Sequence, residues 1–97
     1  NQSMDPAIEN ALLSRWVASG GFAASKHEDA PDLRSTAAAL WILVEQGTKL
    51  GKIQPACFKY IESLWRSSGG FAGKSSDESA EVEFTFYALL AMGYLTQ

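Results

Sequence analysis

Few side chains in this sequence have the chemistry and spacing that a catalytic or metal site requires. There is one cysteine, Cys57, and one histidine, His27, and they stand in different segments. A zinc site needs several convergent Cys, His or carboxylate ligands. No Ser/His/Asp arrangement, Walker loop or Cys-x-x-Cys is present either. We therefore expect no metal site, no cofactor and no catalytic residue in this chain.

Acidic pairs occur at corresponding places in two polar segments, as Glu28-Asp29 and Asp77-Glu78. Such pairs can hold a metal ion or a metal-bound diphosphate. They can also be solvated loop charges that face the positive N-terminal ends of the helices that follow. The second interpretation is favoured. Cys57 is interpreted as a small buried apolar residue.

Three tryptophans, Trp16, Trp41 and Trp65, are the other candidates for binding chemistry. They could form an aromatic wall for an apolar ligand, or they could pack in the core. Core packing is favoured, because aromatic side chains at helical spacing usually face the interior. If a ligand wall exists, its candidate residues are Trp41, Phe86 and Tyr87.

Length and composition indicate one small globular domain over residues 1–97. Apolar residues make up 46% of the chain and charged residues 20%, and the net charge is −3. Because there is no basic patch, nucleic acid is not an expected partner. No apolar run is long enough to span a membrane. A single cysteine excludes an intrachain disulfide, which favours a reducing compartment, and a cytoplasmic location is expected.

The chain contains an internal repeat with a period of 49 residues. At this shift residues 5–47 align with 54–96 without a gap, and residues 48–53 remain as a linker. Twelve aligned pairs are identical, and they include Ala7/Ala56, Trp16/Trp65, Gly20/Gly69, Gly21/Gly70, Phe22/Phe71, Thr36/Thr85 and Ala39/Ala88. Self-similarity in a fixed frame indicates one structural unit that is used twice.

Apolar residues recur every three or four positions, which is the spacing of helices and not of strands. The first repeat predicts an amphipathic helix over 6–18 and a nearly all-apolar helix over 33–46. The second repeat has the same order. The predicted helix starts are Asp5-Pro6, Asp32, Pro55 and Val82.

A Gly-Gly-Phe turn follows the first helix of each repeat. Glycine tolerates the left-handed backbone that ends a helix, and the phenylalanine is expected to plug the end of the helix pair. The predicted turn residues are Gly20, Gly21, Phe22, Gly69, Gly70 and Phe71. Together these features predict two helical hairpins, with the first helix of each outside and the second inside.

The stretch Trp65-Arg66-Ser67-Ser68-Gly69-Gly70-Phe71-Ala72-Gly73, followed by Thr85-Phe86-Tyr87-Ala88-Leu89, resembles the repeat of protein prenyltransferase β subunits. It is also similar to the repeat of squalene and oxidosqualene cyclases. The resemblance covers nearly the whole chain and implies an all-α fold of α/α-toroid type. It also implies a function in which a full-length protein holds an isoprenoid among aromatic side chains.

The residues that carry the activities of these families are not found here. The prenyltransferase zinc site requires Asp, Cys and His, with Asp-x-Cys at the start of an inner helix, and Cys57 has no such neighbour. The cyclase acid is Asp-x-Asp-Asp, and the nearest match is Glu81-Val82-Glu83. A diphosphate-binding arginine of the prenyltransferases aligns with Glu83. The family toroid also has five to seven hairpins, whereas this chain predicts two.

The sequence therefore leaves two functional hypotheses. The first is a fragment or module of a larger isoprenoid-handling protein that is not catalytic alone. The second is a non-catalytic helical-repeat module that binds a protein partner or self-associates. Under both, we expect the apolar inner helices to contact a second copy, a partner subunit or the remainder of a larger chain, since large apolar patches rarely stay uncovered.

Overall fold

Four α-helices form the regular structure of a computed structural model that describes residues 5–18 and 20–96. They are α1 (Pro6–Leu13), α2 (Leu33–Glu45), α3 (Ile53–Glu62) and α4 (Val82–Leu95). Within the described residues, β pairing is limited to isolated bridges between Trp16 and Phe22 and between Trp65 and Phe71. The all-α prediction is confirmed.

The first two helices of the chain start where the capping residues predict. The Asp5 carboxylate accepts a hydrogen bond from the Ala7 amide at 2.9 Å. The Asp32 carboxylate accepts one from the Ser35 amide at 2.7 Å. Each bond satisfies an amide that has no partner inside its helix. The third helix begins at Ile53, the last residue of the predicted linker.

The predicted length of the first helix is wrong. The helix expected over 6–18 ends at Leu13. The Ser14 hydroxyl donates to the Ala11 carbonyl at 2.7 Å, a local bond that competes with helix continuation. The next residues turn back instead, and the Ala23 amide donates to the Arg15 carbonyl at 2.9 Å. The Gly-Gly pair therefore lies at the tip of a short turned segment and not at the helix end.

Helices α2 and α4 run side by side in the same direction. Their first turns meet where the Arg34 guanidinium contacts the Glu83 carboxylate at 2.8 Å, and their last turns line a common groove that includes Val44 and Tyr94. The α2–α4 contact is the most extensive in the fold, while α1 packs on α2 and α3 packs on α4. The helices thus form two layers, with α2 and α4 in one and α1 and α3 in the other.

The core lies between these layers and is built mainly from aliphatic side chains. Its largest fully buried members are Phe22, Leu33, Leu40, Leu43, Ile61, Leu64 and Leu95. The two repeats also share a backbone hydrogen bond, because the Leu33 amide at the start of α2 donates to the Gly73 carbonyl at 2.7 Å. Helix α1 contributes no buried residue, whereas α3 buries Cys57, Tyr60 and Ile61.

Candidate functional site: the inner helix face

One side of the α2–α4 layer carries both aromatic and charged side chains. On α2, Trp41 stands seven positions after Arg34, and on α4, Tyr87 stands four positions after Glu83. These spacings place each aromatic residue on the same side of its helix as the charged one. Because Arg34 contacts Glu83, the two helix sides are neighbours. We define the inner face as Arg34, Ala38, Trp41, Glu83, Tyr87 and Leu90.

Trp41 is an exposed residue of this face and not a core residue. Its relative exposure is 52%, and that of Trp65 is 55%. The core interpretation favoured from the sequence is therefore wrong for both. Trp16 is half-buried and packs against the core, with its ring 5.3 Å from the Phe22 ring in an edge-to-face arrangement.

The charges on the inner face are already engaged with one another. The Arg34 guanidinium pairs with Glu83, and it also lies 5.8 Å from the centre of the Tyr87 ring. Both side chains of the ion pair are at least half exposed, so solvent weakens the attraction between them. Arg34 contributes one positive charge to these two helix sides, whereas Glu83 and Glu45 contribute two negative charges. The two sides therefore have no excess positive charge.

Phe86 adjoins the inner face but points toward another side of α4. Its ring stands 5.6 Å from the Tyr87 ring in an edge-to-face arrangement, and it is 59% exposed. The repeat-equivalent position on α2 is Ala37, which is buried. Of the three residues suggested for a ligand wall, Trp41 and Tyr87 thus share the inner face, and Phe86 lies at its edge.

The two Gly-Gly-Phe turns are held by the same hydrogen bond. The Phe22 amide donates to the Thr36 hydroxyl at 2.9 Å, and the Phe71 amide donates to the Thr85 hydroxyl at 3.1 Å. Phe22 is fully buried and Phe71 is 9% exposed. Each phenylalanine side chain therefore fills the end of its own hairpin, and an identical threonine on the second helix sets its position.

The family comparison agrees with this architecture. A family model described as the prenyltransferase alpha-alpha toroid domain matches residues 1–97. The chain belongs to the prenyltransferase alpha-alpha toroid family. No curated protein and no solved structure matches the chain.

No set of potential metal ligands is assembled in the described part of the chain. Within residues 5–18 and 20–96, no three His, Cys, Asp or Glu side chains come close enough to hold a metal ion. Cys57 is fully buried on α3. Burial raises the pKa of its thiol to about 11, against a smaller lowering by a backbone hydrogen bond from Gly21. A thiol with this pKa is protonated at neutral pH and is a poor ligand and nucleophile.

The remaining polar candidates are not members of the inner face. His27, Glu28, Asp29 and Glu78 are exposed loop residues. Asp77 is half-buried and lines a groove of about 300 Å³ near the first turns of α2 and α4, together with Arg34 and Phe84. Among the described residues, no helix combines the length and the apolar character needed to cross a bilayer.

Two features of this toroid module were not anticipated from the sequence. The Arg66 guanidinium donates to the carbonyls of Asp77 at 2.7 Å and Ser75 at 3.3 Å, which fixes the loop of the second repeat. Tyr60 covers the first Gly-Gly turn, since a Cβ on Gly21 would lie 2.8 Å from its ring. The repeat-equivalent position in the first repeat is Val17, so the repeat did not point to Arg66.

Proposed function

We propose that this chain is an α/α-toroid module of an isoprenoid-handling protein, and that it contributes a wall for the hydrocarbon part of the ligand. The observation that carries this proposal is the exposure of Trp41 on the same helix side as Arg34, whose guanidinium lies over the Tyr87 ring. Exposed aromatic rings on a helix face offer apolar contact area that is already in position.

The charges of the inner face favour the hydrocarbon over a diphosphate. A diphosphate needs several convergent cations, and Arg34 is already paired with Glu83. The wall would therefore contact an isoprenoid chain, while any diphosphate site, catalytic acid or zinc ion would come from elsewhere in the assembly. On its own the chain is expected to have no prenyl-transfer or cyclisation activity.

Binding of a fluorescent farnesol derivative, measured at low micromolar protein, tests this proposal. Trp41→Ala should lower the affinity about fivefold or more, since it removes an aromatic contact. Trp65→Ala is the matched control, because Trp65 is exposed to the same degree but stands outside the inner face. The diphosphate form should bind no more tightly than the alcohol. The absence of saturable binding, or equal losses in both variants, would contradict the proposal.

A second candidate function is a helical-repeat module that associates with other chains. It is favoured by one observation, the exposed apolar side of α4, where Val82 is 88% exposed and Leu89 is 63% exposed. This surface does not belong to the inner face.

A further inference from the structure

The second repeat ends in an uncovered apolar side of α4. Val82, Phe86 and Leu89 are 88%, 59% and 63% exposed, and Gly93 is also exposed. Their spacing of three and four residues places them on one side of the helix. We call Val82, Phe86 and Leu89 the end flank.

The equivalent side of α2 in the first repeat is covered by a neighbouring helix. The repeat-equivalent residues on α2 are Leu33, Ala37 and Leu40, and each is at most 1% exposed. They lie in the layer where α2 packs on α4. The same helix side is thus buried against the next inner helix in repeat one and is open in repeat two.

The complementary surface is found at the other end of the chain. The residues of α4 that are fully buried are Ala88, Ala91 and Leu95. Their equivalents on α2 are Ala39, Ile42 and Gln46, and Ile42 is 37% exposed. Ile42, Ala39 and Leu12 border a groove of about 270 Å³ between α1 and α2. We call these three residues the front groove.

The outer layer repeats the same relationship. A Cβ on Gly20 would lie 2.8 Å from the Ala56 carbonyl oxygen, because α3 covers the first Gly-Gly turn. A Cβ on Gly69, at the second turn, would meet no atom of the structure within 4 Å. The residue of α1 equivalent to Ala56 is Ala7, which is identical and exposed. An α1 helix from another chain can therefore cover the second turn as α3 covers the first.

The charges favour a second copy of this chain as the occupant. Arg34 and Glu83 are repeat equivalents, separated by 49 residues, and they pair at 2.8 Å across the α2–α4 contact. If α4 of one copy meets α2 of another with this same geometry, Glu83 again stands beside Arg34. The charge at this repeat position is positive on α2 and negative on α4. The two charges would therefore again be opposite where α4 of one copy meets α2 of another.

We propose that the end flank of one copy packs into the front groove of a second copy, head to tail, with Glu83 of the first beside Arg34 of the second. Such a contact uses two different surfaces, so each added copy leaves one of each surface free, and assembly continues until a ring closes. The proposal goes beyond the isoprenoid hypothesis and needs no isoprenoid.

Sedimentation of purified protein without lipid tests the proposal, over micromolar to submillimolar concentrations. The wild-type mass should rise with concentration from one chain of 10.5 kDa past that of two chains. Leu89→Glu blocks the end flank and Ile42→Glu blocks the front groove, and each variant alone should remain a monomer. Trp41→Glu is the matched control, since it places the same charge on the inner face and should still associate. Circular dichroism verifies that all three variants are folded.

An equimolar mixture of the two blocked variants gives the decisive result. The intact groove of Leu89→Glu can accept the intact flank of Ile42→Glu, so the mixture should form a 1:1 dimer of about 21 kDa, twice 10.5 kDa, that does not grow further. A monomeric wild type, a monomeric mixture, or an Ile42→Glu variant that dimerises alone would each overturn the proposal.

The ion pair between copies can be tested in the same mixture. Adding Arg34→Glu to the Leu89→Glu chain places two carboxylates at the junction and should lower the association constant about two- to fivefold. Adding Glu83→Arg to the Ile42→Glu chain restores opposite charges at the junction and should recover the affinity. Failure of this recovery would overturn the proposed placement of Glu83 beside Arg34.

Discussion

The Thr36 hydroxyl accepts the hydrogen bond of the Phe22 amide at 2.9 Å and donates its own proton to the Asp32 carbonyl at 2.8 Å. The Thr36 side chain is fully buried, so this link between the turn and α2 operates away from water. A buried donor that loses its partner costs more than an average hydrogen bond contributes.

Replacing Thr36 with valine should therefore destabilise the protein. The shape is nearly conserved, but the buried Phe22 amide loses its acceptor, and we expect a loss of about 1–3 kcal/mol in the free energy of unfolding. Urea denaturation measures it. Thr85→Val is the matched control and should cost less, because Phe71 is less fully buried than Phe22. Equal, negligible losses in both variants would show that the threonine bond does not hold the turn.

Replacing Gly70 with valine should also destabilise the fold. Gly70 has φ +103°, and a Cβ there would lie 2.8 Å from the Thr85 hydroxyl oxygen. The expected cost is about 1–3 kcal/mol. Gly93→Ala is an informative contrast, since Gly93 lies inside α4 with open space around it, and alanine there should stabilise the helix by about 0.5–1 kcal/mol. Thermal melting compares them, and an unchanged midpoint for Gly70→Val would refute the strained-turn interpretation.

Alkaline pH should weaken the fold through Cys57. The folded thiol has a pKa of about 11, above its ordinary value of 9.0. The neutral thiol is therefore favoured in the folded state, and its stabilisation is complete below pH 9.0 and is lost as the pH rises to about 11. The loss can reach about 1.4 kcal/mol for each pH unit.

Urea denaturation at several alkaline pH values, with Cys57→Ala as the comparison, measures this effect. The variant starts from a lower stability, since it leaves a cavity, but its stability should fall less steeply with pH. Burial, the nearby Asp32 charge and the Cys57 charge also raise the pKa of Tyr60. The first two causes add a decline that is common to both chains, and the third acts only in the chain that keeps Cys57. Parallel pH curves for the two proteins would contradict the assignment to Cys57.

Replacing Tyr60 with phenylalanine should leave stability unchanged or raise it by about 1–2 kcal/mol. The Tyr60 hydroxyl oxygen is buried and has no hydrogen-bond partner among the described residues, so its removal relieves a desolvation cost. Tyr60→Ala is expected to cost about 3–5 kcal/mol instead, because the ring covers the first turn. Chemical denaturation of both variants separates ring from hydroxyl, and a large loss in Tyr60→Phe would reveal an essential hydroxyl contact.

The repeat frame predicted much of the architecture, because a residue pair such as Phe22 and Phe71 must occupy equivalent places if one unit is used twice. The helix lengths were less predictable, since Ser14 and the turned segment after it end α1 where the apolar pattern continues. The position of Trp41 could not be derived from periodicity. Helix α2 is apolar on nearly every side, so the sequence alone does not indicate which side faces a neighbour.

The candidate site, like the fold, could be predicted from the sequence only in part. Arg34 and Glu83 could have been paired from the sequence, since they occupy one repeat position with opposite charges. Whether that position faced solvent, the core or a ligand depended on how α2 and α4 pack. Arg66 was hidden for a different reason, because its partners are backbone carbonyls, which no residue pattern marks.

The hydrogen bond from the Leu33 amide to the Gly73 carbonyl bears on the order in which the chain folds as it is made. Synthesis proceeds from the N-terminus, so the start of α2 is made before its acceptor exists. The first hairpin therefore cannot complete its native bonds until the second loop has left the ribosome. Nascent chains whose emerged part ends before Gly73 should remain sensitive to protease within α2, and chains whose emerged part extends past Leu95 should resist it. The first hairpin is thus completed late, by the arrival of the second.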